Sequence, residues 1–363
     1  MIFLKKQNFA LGLDISNSYL RAAQSKTTHD KIKLQALAMR PLNEKIIQNQ
    51  EIKDPDALVK KIGDLLAKPQ FGSFNTTEVV AKLPSTATYV KYIALENTPN
   101  NLSDTVANEI EKHIPMTKKE MYYDFQLIKR QDNVNHILLG AAPRAIVDQY
   151  VAILKAVKLE VSALEINSVC DCRSLLLEEK MAAKTNKVYA LINIGFNASF
   201  LTVYAQGTIV FSISMPLSGQ DATDKIAETL KIKPKQAEKA KIICGMDKSQ
   251  ADGIVFDILS KMIENLSTRI KSVFEYISTH YPEYSQINEI LLYGKSVNIK
   301  NLDTFIAKKF NISTRIASPL LHFDDNEAKL VKTLNKDEAE VGSLSGFTSV
   351  VGLSLRKIFL KQE

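Results

Sequence analysis

Two similar segments half a chain apart constrain the fold of this 363-residue chain most strongly. Residues 11–24 read LGLDISNSYLRAAQ, and residues 191–204 read LINIGFNASFLTVY. Alternation on both sides of a small, polar turn predicts strand–turn–strand, not the strand–turn–helix of a dinucleotide or Walker loop. Such a turn can direct backbone N–H groups at a phosphate. The pair predicts a duplicated fold closing on one nucleotide, although either segment alone could be an ordinary hairpin.

Composition limits the classes to which the chain can belong. Its length and its 45% hydrophobic content predict two or more domains with their own cores. The net charge of +7 comes with lysines spread along the chain, which indicates a solvated surface and no nucleic-acid partner. No run of about 20 residues lacks charge, so we expect a cytoplasmic chain without membrane spans. Three cysteines without a CxxC pair fit a reducing compartment and buried thiols.

The order of predicted elements gives the domain organisation. Residues 8–40 read as strands, a helix opens at Asp54 and a strand follows at Glu78–Leu83, as in half of a ribonuclease-H-like domain. Residues 89–165 then read βαββαβ, which suits a small two-layer module inserted into that domain. An RNA-recognition module has the same order, but it needs aromatic rings in its central strand, and HILLGAA has none.

The predicted boundaries follow from that order. The insert comprises strand Tyr89–Leu95, helix Leu102–His113, strands Tyr122–Lys129 and His136–Ala141, helix Arg144–Lys158 and strand Glu160–Glu165. Beyond it we predict helix 166–185, a hairpin from residue 187, helices Gln220–Leu230, Pro234–Ile243 and Asp252–His280, strand Ile287–Tyr293, a helix from about Lys300 to Phe310, strand Ile312–Ile316 and helix Phe347–Phe359. The first domain is then residues 1–88, 166–188 and 345–363, the insert is 89–165, and the second domain is 189–344.

A short glycine motif near the end of the second half suggests a nucleoside site. Gly294-Lys295-Ser296 resembles part of a Walker loop, but Glu289 stands where that loop needs its first glycine. What remains is a strand, a glycine, a helix and a strand. Such a unit commonly packs a nucleoside at the carboxyl end of the strand.

Four charged residues are candidates for contacts with a nucleotide. Asp14 could hold Mg²⁺ through water, or could cap its own turn. Arg21 could reach a phosphate, or could be a solvated strand cation. Glu238 and Lys241 lie three apart on one helical face and could clasp a ribose and base, or form an ordinary surface ion pair.

Other chemistries find no support in the sequence. The five histidines are isolated, without the spacing of a zinc site, and there is no GxSxG elbow. Cys170 and Cys172 lie two apart in a predicted helix and so face different ways.

Taken in order, the motifs resemble the actin-like ATPases, and within them the PilM family of type IV pilus assembly proteins, relatives of the cell-division protein FtsA. LGLDISNSYLR is similar to the family's first phosphate loop, and LINIGFNASFLTVYAQGTIVFSISMPLSG to its second loop with the following glycine pair. AEKAK resembles the adenosine-contacting helix, LLYGKSVNIKNLDTFIAKKFNISTRIASP the adenosine strand and loop, and VVGLSLR the closing helix. EIEKHIPMTKKEMYYDFQLI resembles the helix-Pro-strand passage of the family's inserted 1C module.

The resemblance implies an α/β fold of duplicated ribonuclease-H-like domains of the actin type with a small inserted α+β module. It also implies ATP and Mg²⁺ as cofactors, the metal being held by Asp14 through water. The implied nucleotide contacts are Asp14, Ser16, Asn17, Ser18 and Arg21 in the first loop, Asn193, Gly195, Phe196 and Asn197 in the second, and Ser218, Gly219, Glu238, Lys241, Gly294, Lys295 and Ser296 beyond it.

Departures from the family pattern weaken the expected catalysis. Ser16 replaces the glycine of the first loop, Asn193 replaces the second acidic residue, and the usual glycine pair reads Ser218-Gly219. An asparagine cannot accept a proton at neutral pH, and loss of a positioned general base typically costs roughly 10²–10⁴ in rate. The hypothesis is weakened nucleotide binding with little or no hydrolysis.

The resemblance also implies a partner. PilM-like proteins are expected at the cytoplasmic face of the inner membrane, which they reach through partner proteins. They serve type IV pilus assembly, or a related secretion or competence system, and grip the N-terminal tail of a PilN-like membrane protein. The tail would lie in the groove between the first domain and the insert and use apolar surface near Tyr89–Leu95 and the adjacent helices. Val106 and Ile110 are expected to belong to the core of the insert. Self-association stays open.

Two rival functions remain. A small-molecule kinase of the same superfold needs a catalytic aspartate near the hinge, for which Asp171 is the candidate. An FtsA-like filament protein would end in an amphipathic membrane helix after a linker, whereas GLSLRKIFLKQE follows the closing helix directly.

Overall fold

The computed structural model describes residues 8–28, 31–43, 45–48, 51–85, 87–96, 101–177, 186–321, 323, 327–334 and 344–356. The chain divides into two units. The first unit contains Met1–Lys180, Pro319–Val341 and Phe347–Glu363, and the second contains Met181–Ser318 and Gly342–Gly346.

Both units contain strands and helices. In chain order, strands β1 to β16 are Asn8–Ile15, Tyr19–Thr28, Lys31–Pro41, Ile47–Gln48, Glu51–Ile52, Phe71–Gly72, Glu78–Lys82, Tyr89–Glu96, Met121–Gln131, Val134–Pro143, Glu160–Glu165, Val188–Ile194, Ser199–Ala205, Thr208–Met215, Glu289–Tyr293 and Ser313–Ile316. Helices α1 to α10 are Pro55–Ala67, Leu102–His113, Arg144–Ala156, Asn167–Leu175, Gly219–Leu230, Pro234–Cys244, Ile254–His280, Leu302–Phe310, Glu327–Leu334 and Thr348–Ser354.

A six-stranded sheet in the order β11-β7-β1-β2-β3-β6 forms the frame of the first unit. β1 runs antiparallel to β2 and parallel to β7, which in turn runs parallel to β11. Buried apolar residues of α1 and α3 pack with the sheet in one core, and Cys170 of α4 and Leu353 of α10 pack with Ala10 and Val80 in another. The carboxyl ends of β1, β7 and β11 therefore lie side by side.

Helix α1 shows how local sequence sets an element of this unit. The Asp54 side chain accepts a 3.0 Å hydrogen bond from the Ala57 N–H, and a proline occupies the first helical position. Leu58, Ile62 and Leu65 recur on one face and are fully buried. The predicted helix is confirmed.

The insert is a three-stranded sheet, β8-β10-β9, with α2 against one face. Its core includes Val106 and Ile110 of α2, both fully buried, with Ile93, Ile137 and Leu139 of the sheet. The prediction that Val106 and Ile110 are core residues is confirmed.

The predicted insert, residues 89–165, included two elements that belong elsewhere. β11 pairs with β7 in the six-stranded sheet, and α3 contributes Tyr150, Ile153 and Leu154 to the core of that sheet. Only β8, α2, β9 and β10 build the three-stranded module. A strand's own pattern does not reveal which sheet it will join, because the same alternation serves either one.

The second unit repeats the theme with five strands in the order β14-β13-β12-β15-β16. β12 runs antiparallel to β13 and parallel to β15, as β1 does to β2 and β7. The 27-residue α7 buries Val255, Leu259, Ile263 and Leu266 at intervals of three or four residues, and its last turns continue this pattern. These side chains pack into a core with the sheet.

Several predicted bounds differ from the structure. α4 ends at Leu175, and residues 178–185 of the predicted helix lie outside the described part of the chain. α10 spans Thr348–Ser354, and residues 357–363 are likewise outside it. Residues 319–341 group with the first unit instead of the predicted second domain, and Phe323 forms a parallel bridge with Ile32.

Candidate functional site

The two predicted phosphate loops occupy equivalent places in the two sheets. Residues 16–18 join β1 to its antiparallel neighbour β2, and residues 195–198 join β12 to its antiparallel neighbour β13. In each unit, the strand before the loop also has a parallel neighbour on its other side. The strand–turn–strand prediction is confirmed for both segments, and the topology is duplicated.

Ser16 closes the first loop on itself. Its hydroxyl donates to the Tyr19 carbonyl at 2.8 Å and accepts from the Tyr19 N–H at 3.2 Å. The Ser18 carbonyl accepts from the Leu42 N–H at 2.8 Å. The side chain that replaces the family's glycine thus fixes the turn, while Asn17 and Ser18 remain half-buried beside it.

Asp14 is buried and lies against two cations of its own unit. Lys82 Nζ lies 2.8 Å from Oδ1, and Arg21 Nη1 lies 3.3 Å from Oδ2. Strand register explains the arrangement, because Asp14 pairs with Arg21 across β1 and β2, and the parallel pairing of β1 and β7 brings Lys82 alongside. Sequence reasoning missed Lys82; its place at the end of a strand next to a loop strand was the available signal.

The two cations beside Asp14 bear on whether its carboxylate can bind Mg²⁺. Magnesium binds carboxylate oxygens and keeps several waters in a near-octahedral shell. Here each carboxylate oxygen lies beside a positively charged nitrogen, and the described residues contain no group of three His, Cys, Asp or Glu side chains that could hold a metal. The surroundings of Asp14 do not fit the implied metal.

A second carboxylate lies at the same edge of the sheet. Glu165, at the end of β11, pairs in register with Lys82. Arg173 binds both oxygens of Glu165, at 2.7 and 2.9 Å, and Arg356 binds it as well. Burial, with a smaller contribution from the charge of Asp14, raises the pKa of Tyr150. Across this edge, cations outnumber the two carboxylates.

The second loop is hydrogen-bonded to the start of α5. The Gly219 N–H donates to the Gly195 carbonyl at 2.9 Å, and the Gln220 N–H donates to the Phe196 carbonyl at 2.8 Å. Gly195 itself donates to the Ala198 carbonyl at 3.1 Å. The first N–H groups of a helix are the groups that usually bind anions. Two of these N–H groups of α5 already donate to carbonyls of the second loop.

Ser218 caps the same helix. Its hydroxyl accepts a 3.1 Å bond from the Asp221 N–H, as an N-cap serine does. The serine that replaces the first glycine of the family's pair therefore has a local role, and it is buried.

Residues 294–296, which follow β15, pack onto both the second loop and the start of α5. Gly294 has φ +106°, and a Cβ there would lie 2.6 Å from both Asn193 Oδ1 and the Ile194 carbonyl. Ser296 N–H donates to the Ile194 carbonyl at 2.9 Å. A Cβ on Gly219 would lie 1.8 Å from Ser296 Oγ, so the space above that glycine is filled.

The side chains of Lys295 and Ser296 lie in the same region. The Ser296 hydroxyl is buried and has no hydrogen-bond partner among the described residues. The Lys295 ammonium lies 4.8 Å from the centre of the Phe196 ring, a cation–π distance. The second unit thus brings Asn193, Gly195, Phe196, Gly219 and residues 294–296 together at one end of its sheet, with Asn197 in the loop.

Lys241 is a fully buried cation with three partners. Its Nζ donates to the Gly219 carbonyl at 2.9 Å, to Thr223 Oγ1 at 2.9 Å and to Glu238 Oε2 at 2.6 Å. Burial lowers the pKa of Lys241, and the Glu238 carboxylate opposes that effect. An ammonium has three N–H donors, and all three are used within the protein. Sequence reasoning did not single out Thr223.

Glu238 is placed differently. Thr223 Oγ1 and Lys241 both bind its Oε2, and its side chain is 27% exposed. Because Lys241 is buried, the pair is not an ordinary surface ion pair. Of the two predicted adenosine contacts, Glu238 alone is reachable from solvent.

Asp171, the candidate base of a kinase, is engaged on both oxygens. Asn167 Nδ2 donates to Oδ2 at 2.6 Å, and the Ser349 hydroxyl donates to Oδ1 at 2.7 Å. The carboxylate is 1% exposed. It links α4 to α10 and is not placed to take a proton from a substrate.

Two sheets that repeat one topology, each with a loop at the equivalent turn, define an actin-like ATPase fold. The model of the type IV pilus assembly protein PilM family matches residues 12–358. The chain belongs to that family.

Solved structures share this fold at low identity. A PilM-PilN type IV pilus biogenesis complex is 20% identical, with a TM-score of 0.77 over 96% of this chain and 98% of that chain. MreB5 of Spiroplasma citri bound to AMPPNP is 12% identical, with a TM-score of 0.54 over 97% of each chain. The ethanolamine utilization protein EutJ from Carboxydothermus hydrogenoformans is 13% identical, with a TM-score of 0.53 over 96% of this chain and 89% of that chain. Within the described ranges, every helix is too short or too polar to cross a membrane.

Proposed function

We propose that this chain is an adaptor of type IV pilus assembly that grips the N-terminal tail of a PilN-like inner-membrane protein, and that its nucleotide site is weakened. A single observation carries the weakened site: two charged residues predicted to contact the nucleotide, Asp14 and Lys241, are bound to the protein's own atoms. Asp14 is ion-paired with Lys82 and Arg21, and Lys241 donates all its N–H groups internally. A relative solved as a PilM-PilN complex supports the choice of partner.

Nucleotide binding, in this proposal, is retained in a reduced form. A phosphate at the second loop has to compete with the carbonyls of Gly195 and Phe196 for the first amides of α5. Glu238 keeps a partly exposed carboxylate that could accept a hydrogen bond from a ribose hydroxyl. An MreB5 structure contains AMPPNP, which supports a nucleotide as the ligand of this fold.

Hydrolysis is expected to be slow or absent. Asn193 carries an amide where the family has an acid, and an amide does not act as a general base. Asp14 is held by two cations, and Asp171 accepts two hydrogen bonds. An ATPase rate equal to that of active actin-like enzymes would contradict this part of the proposal.

The tail is proposed to bind the face of the three-stranded module that α2 does not cover. Ile137 and Leu139 of β10 point into the α2 core, so alternation places Leu138 on the opposite face. Leu138 and Val90 are half-buried there. Ile166 borders this face, because its Cδ1 lies 3.1 Å from where a Cβ on Gly140 would be. We call Val90, Leu138 and Ile166 the insert face.

Binding of a labelled tail peptide, followed by fluorescence anisotropy, tests the proposal. Leu138→Glu places a charge on the insert face and is expected to weaken binding by at least about tenfold, since burying an unpaired charge is costly. Ile243→Glu introduces a glutamate at an aliphatic position of the second unit whose side chain is 65% exposed, and is the control.

Each outcome bears on a different part of the proposal. Unchanged binding by Leu138→Glu would contradict the insert face as the tail site. Failure of the wild-type protein to bind any PilN-like tail would contradict the partner. Attachment to the cytoplasmic face of the inner membrane is proposed to follow from the tail alone, and self-association remains a separate prediction.

Titration calorimetry measures nucleotide binding. ATP with Mg²⁺ is titrated into the wild type and into Asp14→Ala. A change in ATP affinity caused by the substitution would support a site at the first loop. No binding to either protein would refute the nucleotide part and leave the tail as the basis of function.

A further inference from the structure

The carboxylate of Asp14 is neutralised by its own chain at the position where the family resemblance implies a metal. The Lys82, Arg21 and Asp14 side chains are 14%, 9% and 4% exposed. One carboxylate and two cations leave an excess of one positive charge in this buried cluster. A divalent cation brought to Asp14 would meet that excess at close range, whereas a phosphate would be attracted by it.

We propose that Lys82 takes the place of the divalent cation, so that the first loop binds phosphate through Lys82 and Arg21 and does not require Mg²⁺. The inference rests on the proposed nucleotide function, because it takes the bound anion to be a nucleotide phosphate. It assigns to Lys82 the neutralising charge that a metal supplies in a magnesium-dependent site.

An independent observation points to an anion at this cluster. The Nε–H of Arg21 is buried and has no hydrogen-bond partner among the described residues. Asp14 Oδ1 likewise accepts no hydrogen bond of good geometry from them, and Lys82 Nζ, 2.8 Å away, neutralises it by charge. Buried donors are nearly always satisfied, and an arginine can bind a phosphate with several N–H groups at once. A phosphate oxygen near Arg21 would supply the missing acceptor.

The position of Lys82 in the fold also supports phosphate binding at the first loop. Lys82 ends β7, and the Ser16–Ser18 turn follows the end of the parallel strand β1. Ligands of open α/β sheets bind outside the carboxyl ends of parallel strands. The ammonium is therefore on the edge where a phosphate is expected, and is not a distant counter-ion.

Manganese alone tests the claim without any nucleotide. Mn²⁺ is titrated into the protein, and free metal is followed by electron paramagnetic resonance. In the wild type, and in the control Lys61→Met at an exposed lysine of α1, adding Asp14→Asn is expected to leave Mn²⁺ binding unchanged. Lys82→Met frees Asp14 Oδ1 and is expected to raise Mn²⁺ affinity by at least about tenfold. Addition of Asp14→Asn should abolish that gain.

The wild type alone provides the second measurement, which needs no variant to fold. Calorimetry with ATP in Mg²⁺ and with ATP in EDTA should give dissociation constants within about twofold of each other. Binding weakened about tenfold or more by EDTA would overturn the inference, as would a wild-type Mn²⁺ site that Asp14→Asn removes. Absence of ATP binding in both buffers would refute the proposed nucleotide binding, while the Mn²⁺ titration would still decide whether Lys82 displaces the metal.

Discussion

The Ser349 hydroxyl donates a 2.7 Å hydrogen bond to Asp171 Oδ1, joining α10 to α4 across 178 positions of the sequence. Both groups are buried, and Asn167 binds the other oxygen of the same carboxylate. The bond therefore satisfies a charge that has no access to water. It ties the closing helix to the helix that follows the first sheet.

Ser349→Ala is expected to lower the free energy of unfolding by about 1.5–3 kcal/mol, because a hydrogen bond to a charged group is lost and the carboxylate stays buried. Urea denaturation followed by circular dichroism measures the change. Ser103→Ala, at an exposed position of α2, is the control and should fall within about 0.5 kcal/mol of the wild type. Equal stability of the two variants would contradict the role given to this bond.

Glu165 is the common partner of Arg173 and Arg356, and its side chain is 3% exposed. Glu165→Gln leaves both guanidinium groups without a counter-charge, so we expect a loss of about 3–5 kcal/mol. Glu109→Gln removes an exposed i,i+3 pair with Lys112 and should cost less than about 1 kcal/mol. Chemical denaturation of both variants gives the comparison. A small loss for Glu165→Gln would show that water reaches this pair.

Two glycines in helices predict opposite responses to alanine. A Cβ on Gly352 would lie 1.8 Å from the Cys170 carbonyl, so α10 and α4 must separate, and overpacking typically costs about 1–3 kcal/mol. Gly63, in α1, has nothing within 4 Å of its built Cβ, and alanine is the better helix former by about 0.5–1 kcal/mol. Thermal unfolding should show a lower midpoint for Gly352→Ala and a higher one for Gly63→Ala. A raised midpoint for both would mean that the two helices can part without cost.

Local signals in the sequence were enough for many elements. The predicted bounds of α2 and β11 match the structure, and both loops are strand–turn–strand as predicted. These features depend on residues close in sequence: Asn101 caps α2, and alternation marks each strand. The family and the actin-like fold also followed from the ordered motifs.

What sequence reasoning missed depends on residues that are distant along the chain. Lys82 reaches Asp14 only because β7 pairs in parallel with β1, and β11 left the predicted insert because it pairs with β7. The burial of Lys241 was equally hidden, since an i,i+3 spacing with Glu238 is the same for a surface pair and a buried one. Strand partners and burial are tertiary properties, and they decide what each charged group does.

The three cysteines should differ sharply in reactivity. Cys170 is fully buried, and burial raises the pKa of its thiol well above the ordinary value. Cys172 is buried too, whereas Cys244 is partly exposed. Since the thiolate is the reactive form, a disulfide reagent at about pH 8 should modify one thiol per native chain and all three after unfolding. Cys244→Ser should remove the native reaction; fast labelling that survives this substitution would contradict the assignment.

The buried ammonium of Lys241 predicts both a large stability effect and its pH dependence. Lys241→Met removes one hydrogen-bond donor from each of the Gly219 carbonyl, Thr223 and the Glu238 carboxylate and leaves that carboxylate without its counter-charge, so a loss of about 3–5 kcal/mol is expected. Lys239→Met, exposed on the same helix, is the matched control and should stay within about 0.5 kcal/mol of the wild type.

The sign of the pH effect follows from the direction of the pKa shift. Burial lowers the pKa of Lys241 below the ordinary lysine value of 10.5, so between the folded-state and ordinary pKa values the unfolded chain holds more protons than the folded chain. The free energy of unfolding of the wild type therefore rises with pH between these two pKa values. Below them, Lys241 is charged in both the folded and the unfolded state, and the folded protein is least stable there. The difference in unfolding free energy between wild type and Lys241→Met should therefore grow as pH approaches 10.5. Urea denaturation at a series of alkaline pH values measures it, and a difference that shrinks with pH would mean that Glu238 outweighs burial and raises the pKa of Lys241.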